Sequence, residues 1–270
     1  MSVRIVTDSG SDLSIELADQ LGVVVVPLSI RFGSDEYTDR VQLTPEQFYA
    51  EMDSNDELPE TAAPAPGAFL EAFNGLIADG ATDIVCINLS FALSATFQSA
   101  QTAADQIEGT NVTIVDSKSA TVGQGMVVRR AAEAAASGSS AAEVIALAED
   151  LADRMHVLGV LDTLDNLKKG GRIGNAQAML GSMLSIKPCI DLSSGEVEEA
   201  GRQRTRKKAL AWLAAQIPDG ATNIAVGHAM AADVEKFLDL TDNEIADISL
   251  IGPVVGTHGG PGVIGLAYTD

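Results

Sequence analysis

TDIVCINLSFALSATFQSA, residues 82–100, decides how the chain is read. The apolar run at 84–89 is rich in β-branched residues and too short for a helix, so it reads as a buried strand. Ser94 and Thr96 then arrive just where an amphipathic helical pattern begins. A strand feeding a helix through a turn that carries hydroxyls is the unit of an α/β protein, and the turn is where such proteins keep ligand groups.

The same grammar extends outward. VRIVTDS (3–9), GVVVVPLSI (22–30) and NVTIVDS (111–117) read as further strands of a parallel sheet. Helical patterns lie between them: DLSIELADQL; TPEQFYAEM, where Thr44 and Gln47 form a capping box with Pro45 at the first helical position; and PGAFLEAFNGLIADG. Ser140 and Glu143 form a second capping box before AAEVIALAEDLADRM. From about residue 156 the pattern changes. HVLGVLDTL precedes a Gly-rich segment, IKPCIDLSS and EVEEAGRQRT read as a hairpin around Gly195, and RKKALAWLAAQI reads as a helix. TNIAVGHAM and DISLIGPVV follow as strands around the short helix AADVEKFLDL. These patterns predict two domains, 1–155 with a parallel sheet and 156–270 with a mixed one.

Composition narrows the function classes. At 270 residues and 46% apolar content, the chain can bury a large core. Its strongest apolar run, VVVVPLSI, is short and broken by Pro27, and the N-terminus enters a strand pattern without a signal-peptide signature, which places the protein in the cytoplasm. Cys86 and Cys189 read as buried thiols, and three scattered histidines offer no metal spacing. A net charge of -21 argues against nucleic acid. Nine of the 17 basic residues nevertheless fall within 168–208: Lys168, Lys169, Arg172, Lys187, Arg202, Arg204, Arg206, Lys207 and Lys208. That segment is either a solvated face or a docking patch.

Three catalytic motifs fail on context. GPGVIG (260–265) matches a dinucleotide fingerprint, but too few residues follow for the helix it requires. Asp8, at the end of the first strand, would suit a phosphoaspartate enzyme, yet Asp8 and Ser9 more simply organise a turn. Ser90 and Ser94 lack the glycines of a nucleophile elbow, although an acyl hydrolase or transferase using Ser94 and His258 stays open as the alternative. A hydroxyl at a helix N-terminus can also hold an anion without consuming it, and Ser94 suits that use as well as it suits capping its own helix.

VTDSGSDL, TAAPAP, LSFALSATFQSA, VDSKSATVGQG, LKKGGRIG, LSIKPCIDLSSGEV, RTRKKA and THGGPGVIG, in this order, resemble the successive motifs of the DegV family of bacterial fatty-acid-binding proteins. The resemblance implies an N-terminal three-layer domain, a C-terminal two-layer domain, and one long-chain fatty acid in an apolar tunnel between and within them. It implies no catalytic residue and no cofactor beyond that ligand. Carried over by motif, Thr61, Ser94 and His258 hold the carboxylate. Ser90, Phe91, Thr96 and Phe97 are further headgroup or tunnel candidates, and Phe69 and Phe73 are candidate lining. Arg172 and Arg204 belong to a surface that meets a separate fatty acid kinase subunit or, transiently, the membrane. The chain departs from the family pattern at Ala62 and Ala63, where serine and glutamine are usual, and at Phe91, Ala95 and Gly259.

Overall fold

Pro27 divides what the sequence presents as one strand. Proline has no N–H for a ladder, and here it separates β2 (Val24–Val26) from β3 (Ser29–Phe32), which enter different sheets. The structure, a computed structural model, describes residues 2–55, 57–179 and 186–270. Leu184 and Ser185 of the LSIKP motif lie outside the described residues.

In chain order the first half contains β1 (Val3–Asp8), α1 (Ile15–Leu21), β2, β3, β4 (Asp35–Thr38), α2 (Pro45–Ser54), β5 (Glu60–Ala62), α3 (Pro66–Ala78), β6 (Asp83–Asn88), α4 (Thr96–Ala104), β7 (Asn111–Asp116), α5 (Thr121–Ala136) and α6 (Ala141–Arg154). The second half contains β8 (Met155–Val160), α7 (Asp165–Lys169), β9 (Lys187–Asp191), β10 (Glu198–Gln203), α8 (Arg206–Ala214), β11 (Thr222–His228), α9 (Val234–Leu238), β12 (Asp247–Leu250), α10 (Pro253–Gly259) and β13 (Ile264–Thr269). Both capping boxes form, Thr44 with Gln47 and Ser140 with Glu143.

The N-terminal sheet is parallel, in the order β2-β1-β6-β7. Its strands alternate sides: Val6, Ile84 and Cys86 pack under α3 and α4 with Phe69 and Phe73, while Ile5, Val85 and Ile87 face α5 and α6. This is the three-layer arrangement. The six-stranded sheet is mixed, in the order β10-β9-β8-β13-β11-β12, and only β11 and β12 run parallel. Leu158, Val160, Val226, Ile264 and Leu266 face α8 and α9. The opposite face joins the core that contains α5, so α5 is packed between the two sheets. A small antiparallel sheet, β4-β3-β5, was not foreseen from sequence, and its role is to carry Thr61.

One further difference matters. DISLIGPVV is not one strand: β12 ends at Leu250, and α10 starts at Pro253 with proline in its first turn. Both cysteines are buried free thiols. No helix among the described residues is long and apolar enough to cross a membrane.

Candidate functional site

A cavity enclosing about 1070 Å³ of empty space, part of it open to solvent, lies between the two sheets. Leu28, Leu89 and Ala120 line it from the first half, and Val157, Leu192 and Val263 from the second. Its wall is overwhelmingly apolar. The polar exceptions are Thr61, Ser94, Thr121, Arg172 and His258. Residues separated by nearly 200 positions therefore meet at one wall.

Each arrives for a local reason. Thr61 stands on β5, paired with Ile30. His258 sits in the last turn of α10, and its Nε2 lies 3.0 Å from Thr61 Oγ1. Nδ1 of the same ring is buried without a hydrogen-bond partner. Ser94 precedes α4; its Oγ accepts the Thr96 amide N–H at 3.3 Å and lies 2.8 Å from Thr96 Oγ1. Ser94 thus ties down its own helix start and faces the cavity as well. Thr96 is fully buried beneath it.

Arg172, which the resemblance puts on a docking surface, is half-buried and also lines the cavity. Its Nε donates to Leu93 O at 3.1 Å and its Nη1 to Gly170 O at 2.8 Å, which seats the guanidinium next to the Ser94 turn. The GG pair makes this approach feasible. A methyl group at Gly170 would overlap His258 Nδ1, and Gly171 turns the chain with φ +71. Burial, and then the Arg172 cation, push the His258 pKa down to about 4. The imidazole is neutral near pH 7, and the one formal charge at this wall is the positive charge of Arg172.

Other candidates stand apart. Ser90 is buried, donates to Gly195 O at 2.7 Å and fastens the turn to the β9-β10 hairpin. Phe91 is 66% exposed, its ring tilted against that of the half-buried Phe97 with centroids 6.5 Å apart, and neither lines the cavity. Phe69 and Phe73 lie in the core on the far side of the parallel sheet. Arg204 is exposed at the end of the β9-β10 hairpin, before α8. Part of the basic segment is charge balance: Lys187 pairs with Asp162, Arg202 with Glu199, and Arg206 with Asp233.

The enzymatic alternatives gain nothing from this geometry. His258 Nε2 addresses Thr61, not Ser94, and no carboxylate orients its Nδ1, so the relay of a triad is not assembled. Asp8 accepts from Gly10 N, Asn88 Nδ2 and Leu89 N and is fully buried, as an organiser of the turn. Among the described residues no group of three His, Cys, Asp or Glu side chains is placed to hold a metal.

Thr121 was missed from sequence. It is a β-branched residue at φ +49, buried to 6% exposure at the cavity wall. The signal for it was weak, because helix α5 begins in the polar, glycine-containing TVGQG.

Fold and site together define an α/β protein with an apolar chamber, partly open to solvent, and a small polar cluster at one wall. Comparison with known proteins fits this class. The family model described as "Uncharacterised protein, DegV family" matches residues 2–270, and the chain belongs to the DegV family. A DegV domain-containing protein of Halalkalibacterium halodurans is 36% identical over 276 residues, covering 98% of both chains. A solved structure described as fatty acid binding of a DegV family protein from Thermus thermophilus superposes with TM-score 0.87 at 33% identity, covering 100% of each chain. DegV from Bacillus subtilis, described as a fatty acid binding protein, gives TM-score 0.89 at 28% identity over 100% of this chain and 99% of that one.

Proposed function

We propose that the protein binds one long-chain fatty acid, tail in the cavity and carboxylate at the wall formed by Thr61, Ser94, His258 and Arg172. The observation that carries this is the convergence of those four side chains on one cavity whose wall, Thr121 apart, is otherwise apolar. An ionised headgroup needs donors, and here it meets hydroxyls beside a single cation. The tail supplies the affinity, at roughly 0.8 kcal/mol for each buried methylene. With His258 neutral, an Nε2–H directed to Thr61 Oγ1 leaves the threonine hydroxyl proton free for the ligand. The fatty-acid binding described for the Thermus thermophilus and Bacillus subtilis relatives supports the same reading.

We further propose that the protein has no catalytic role of its own and presents the bound carboxylate to a separate ATP-dependent kinase subunit, which forms the acyl phosphate. The exposed Arg204, in the basic segment of an otherwise acidic chain, suits an acidic partner face or anionic lipid headgroups. Arg204→Glu should slow acyl phosphate formation by an added kinase and leave lipid occupancy unchanged; an unaltered rate would remove Arg204 from that surface.

Native mass spectrometry of the purified protein, followed by denaturation and identification of the released molecule, tests the binding itself. A long-chain fatty acid at near-equal stoichiometry is the expected result. A protein that is empty and also refuses added fatty acids would overturn the assignment.

A further inference from the structure

The cavity-facing side of the mixed sheet is bare at its centre. Along β11 and β13 the residues alternate, so Val226 and Leu266 pack toward α8 and α9 while Ala225, Gly227, Gly265 and Ala267 turn to the other face. Gly265 is the register partner of both Gly227 on β11 and Gly159 on β8. Three adjacent strands therefore lack a side chain at the same level. The result is a narrow trough along β13, flanked by the side chains of Ile251 and Val122 on the Gly227 side and of Ile190 on the Gly159 side.

The three glycines are not equivalent. A methyl group at Gly227 would lie 3.1 Å from Ile251 and 3.2 Å from Val122, so neighbouring side chains already fill that end. At Gly159 it would lie 3.3 Å from Ile190. At Gly265 the nearest atoms are two backbone oxygens, of Gly227 and Leu158, both at 3.8 Å, and no side-chain atom comes within 4 Å. Gly265 also lines the cavity. A sheet interior does not leave such space unfilled without cost, because protein interiors pack closely.

We propose that the acyl chain of the ligand lies in this trough over Gly265, and that the missing side chain at Gly265 sets the length of unbranched chain the protein accepts. This rests on the fatty-acid reading above and adds a residue that determines specificity. Room at Gly265 is room for methylenes. A side chain there would occupy the path of the tail without touching Thr61, Ser94, His258 or Arg172.

The test uses the full chain, stripped of lipid and titrated separately with laurate, myristate, palmitate and stearate, with occupancy read by native mass spectrometry. Wild type should take palmitate and stearate at one per chain. In Gly265→Leu the ratio of stearate to laurate occupancy should fall at least about tenfold, since one surplus methylene in a closed pocket costs about 10–200-fold. Gly265→Ala should shift the ratio in the same direction by less, and it decides the matter if the leucine variant does not fold. Gly227→Ala, which crowds Ile251 and Val122, should lower thermal stability. An unchanged ratio in folded Gly265 variants, with wild type still loaded, would overturn the role of Gly265 and leave fatty-acid binding standing. Failure of wild type to take any of the four acids would overturn both.

Discussion

At the level of single residues, the site depends on one hydrogen bond and one suppressed ionisation. Thr61 and His258 hold each other at 3.0 Å, and Thr61→Val removes the hydroxyl while keeping the shape. The affinity for fatty acid should fall about tenfold in a titration of lipid-free protein, the worth of one hydrogen bond to a charged group. His258 also sets an acid limit. Its folded-state pKa of about 4 lies below its ordinary 6.5, so the unfolded chain binds a proton first. Stability is therefore lost as pH falls from about 6.5 toward 4, by up to about 3 kcal/mol. Asp39 has the opposite sign. It is fully buried, and burial, opposed by Arg40, raises its pKa to about 7. A raised pKa gives stability that is complete below about 3.8 and is lost as pH rises through about 7. Asp39→Asn should accordingly gain on wild type in urea denaturation as pH rises from about 4 to about 7, by up to about 4 kcal/mol. A gap that does not change with pH would mean that Asp39 ionises normally in the folded protein.

At the level of elements, the contact of α7 with α10 positions the imidazole. Gly170 ends α7 directly against the His258 ring, where a Cβ has no room. Gly170→Ala should displace His258, costing about 1–3 kcal/mol of stability from overpacking and lowering ligand occupancy; thermal unfolding and native mass spectrometry measure the two effects. Wild-type occupancy in that variant would show that the histidine is not needed for retention. Elements of this kind explain which parts of the molecule could be read from sequence. The helix starts at Thr44 and Ser140 were legible because a capping box is a local signal with a fixed spacing. The parallel strands were legible as short apolar runs between turn residues. Helix α5 was not read, because Gly123 and Gly125 interrupt its pattern where it packs tightly against Ser119, Val157 and Ser11. Helix α10 was not read either, since seven residues with two glycines carry no helical periodicity. The motif resemblance nominated Thr61, Ser94 and His258, which the fold does bring to one cavity. It gave Arg172 a docking role alone, because only three-dimensional packing shows that the turn at Gly170 and Gly171 also brings this half-buried side chain to the cavity. The bare face of β11 and β13 was written in plain alternation, IAVGHA and VIGLAYT, and went unread because small residues give no amphipathic signal.

At the level of the whole molecule, the chamber exists because two sheets share a core. The chain passes from α6 into β8 with no intervening linker, next to the boundary expected from sequence between 1–155 and 156–270. One hydrophobic cluster contains Ile5, Val85 and Ile87 of the parallel sheet together with Val157, Ala225 and Ala267 of the mixed sheet, and α5 supplies Met126, Val127 and Val128 between them. Asp12 reinforces the join, accepting from Gly252 N at 3.0 Å and from Arg40 Nη2 at 2.8 Å, and Tyr49 donates to Ile251 O at 2.9 Å. Neither half can leave without exposing α5 and unpairing those buried polar groups. Unfolding followed by calorimetry should therefore show a single transition whose calorimetric and van't Hoff enthalpies agree. A fatty acid that touches both halves should raise that one midpoint without splitting it, by about 2.7 kcal/mol of stability when free ligand reaches roughly 100 times its Kd. Two resolved transitions, only one of them moved by ligand, would mean that the halves fold separately and that the chamber belongs to one of them. A single transition that shifts as a whole would mean that binding and folding draw on the same core, so that loading the ligand also holds the two sheets together.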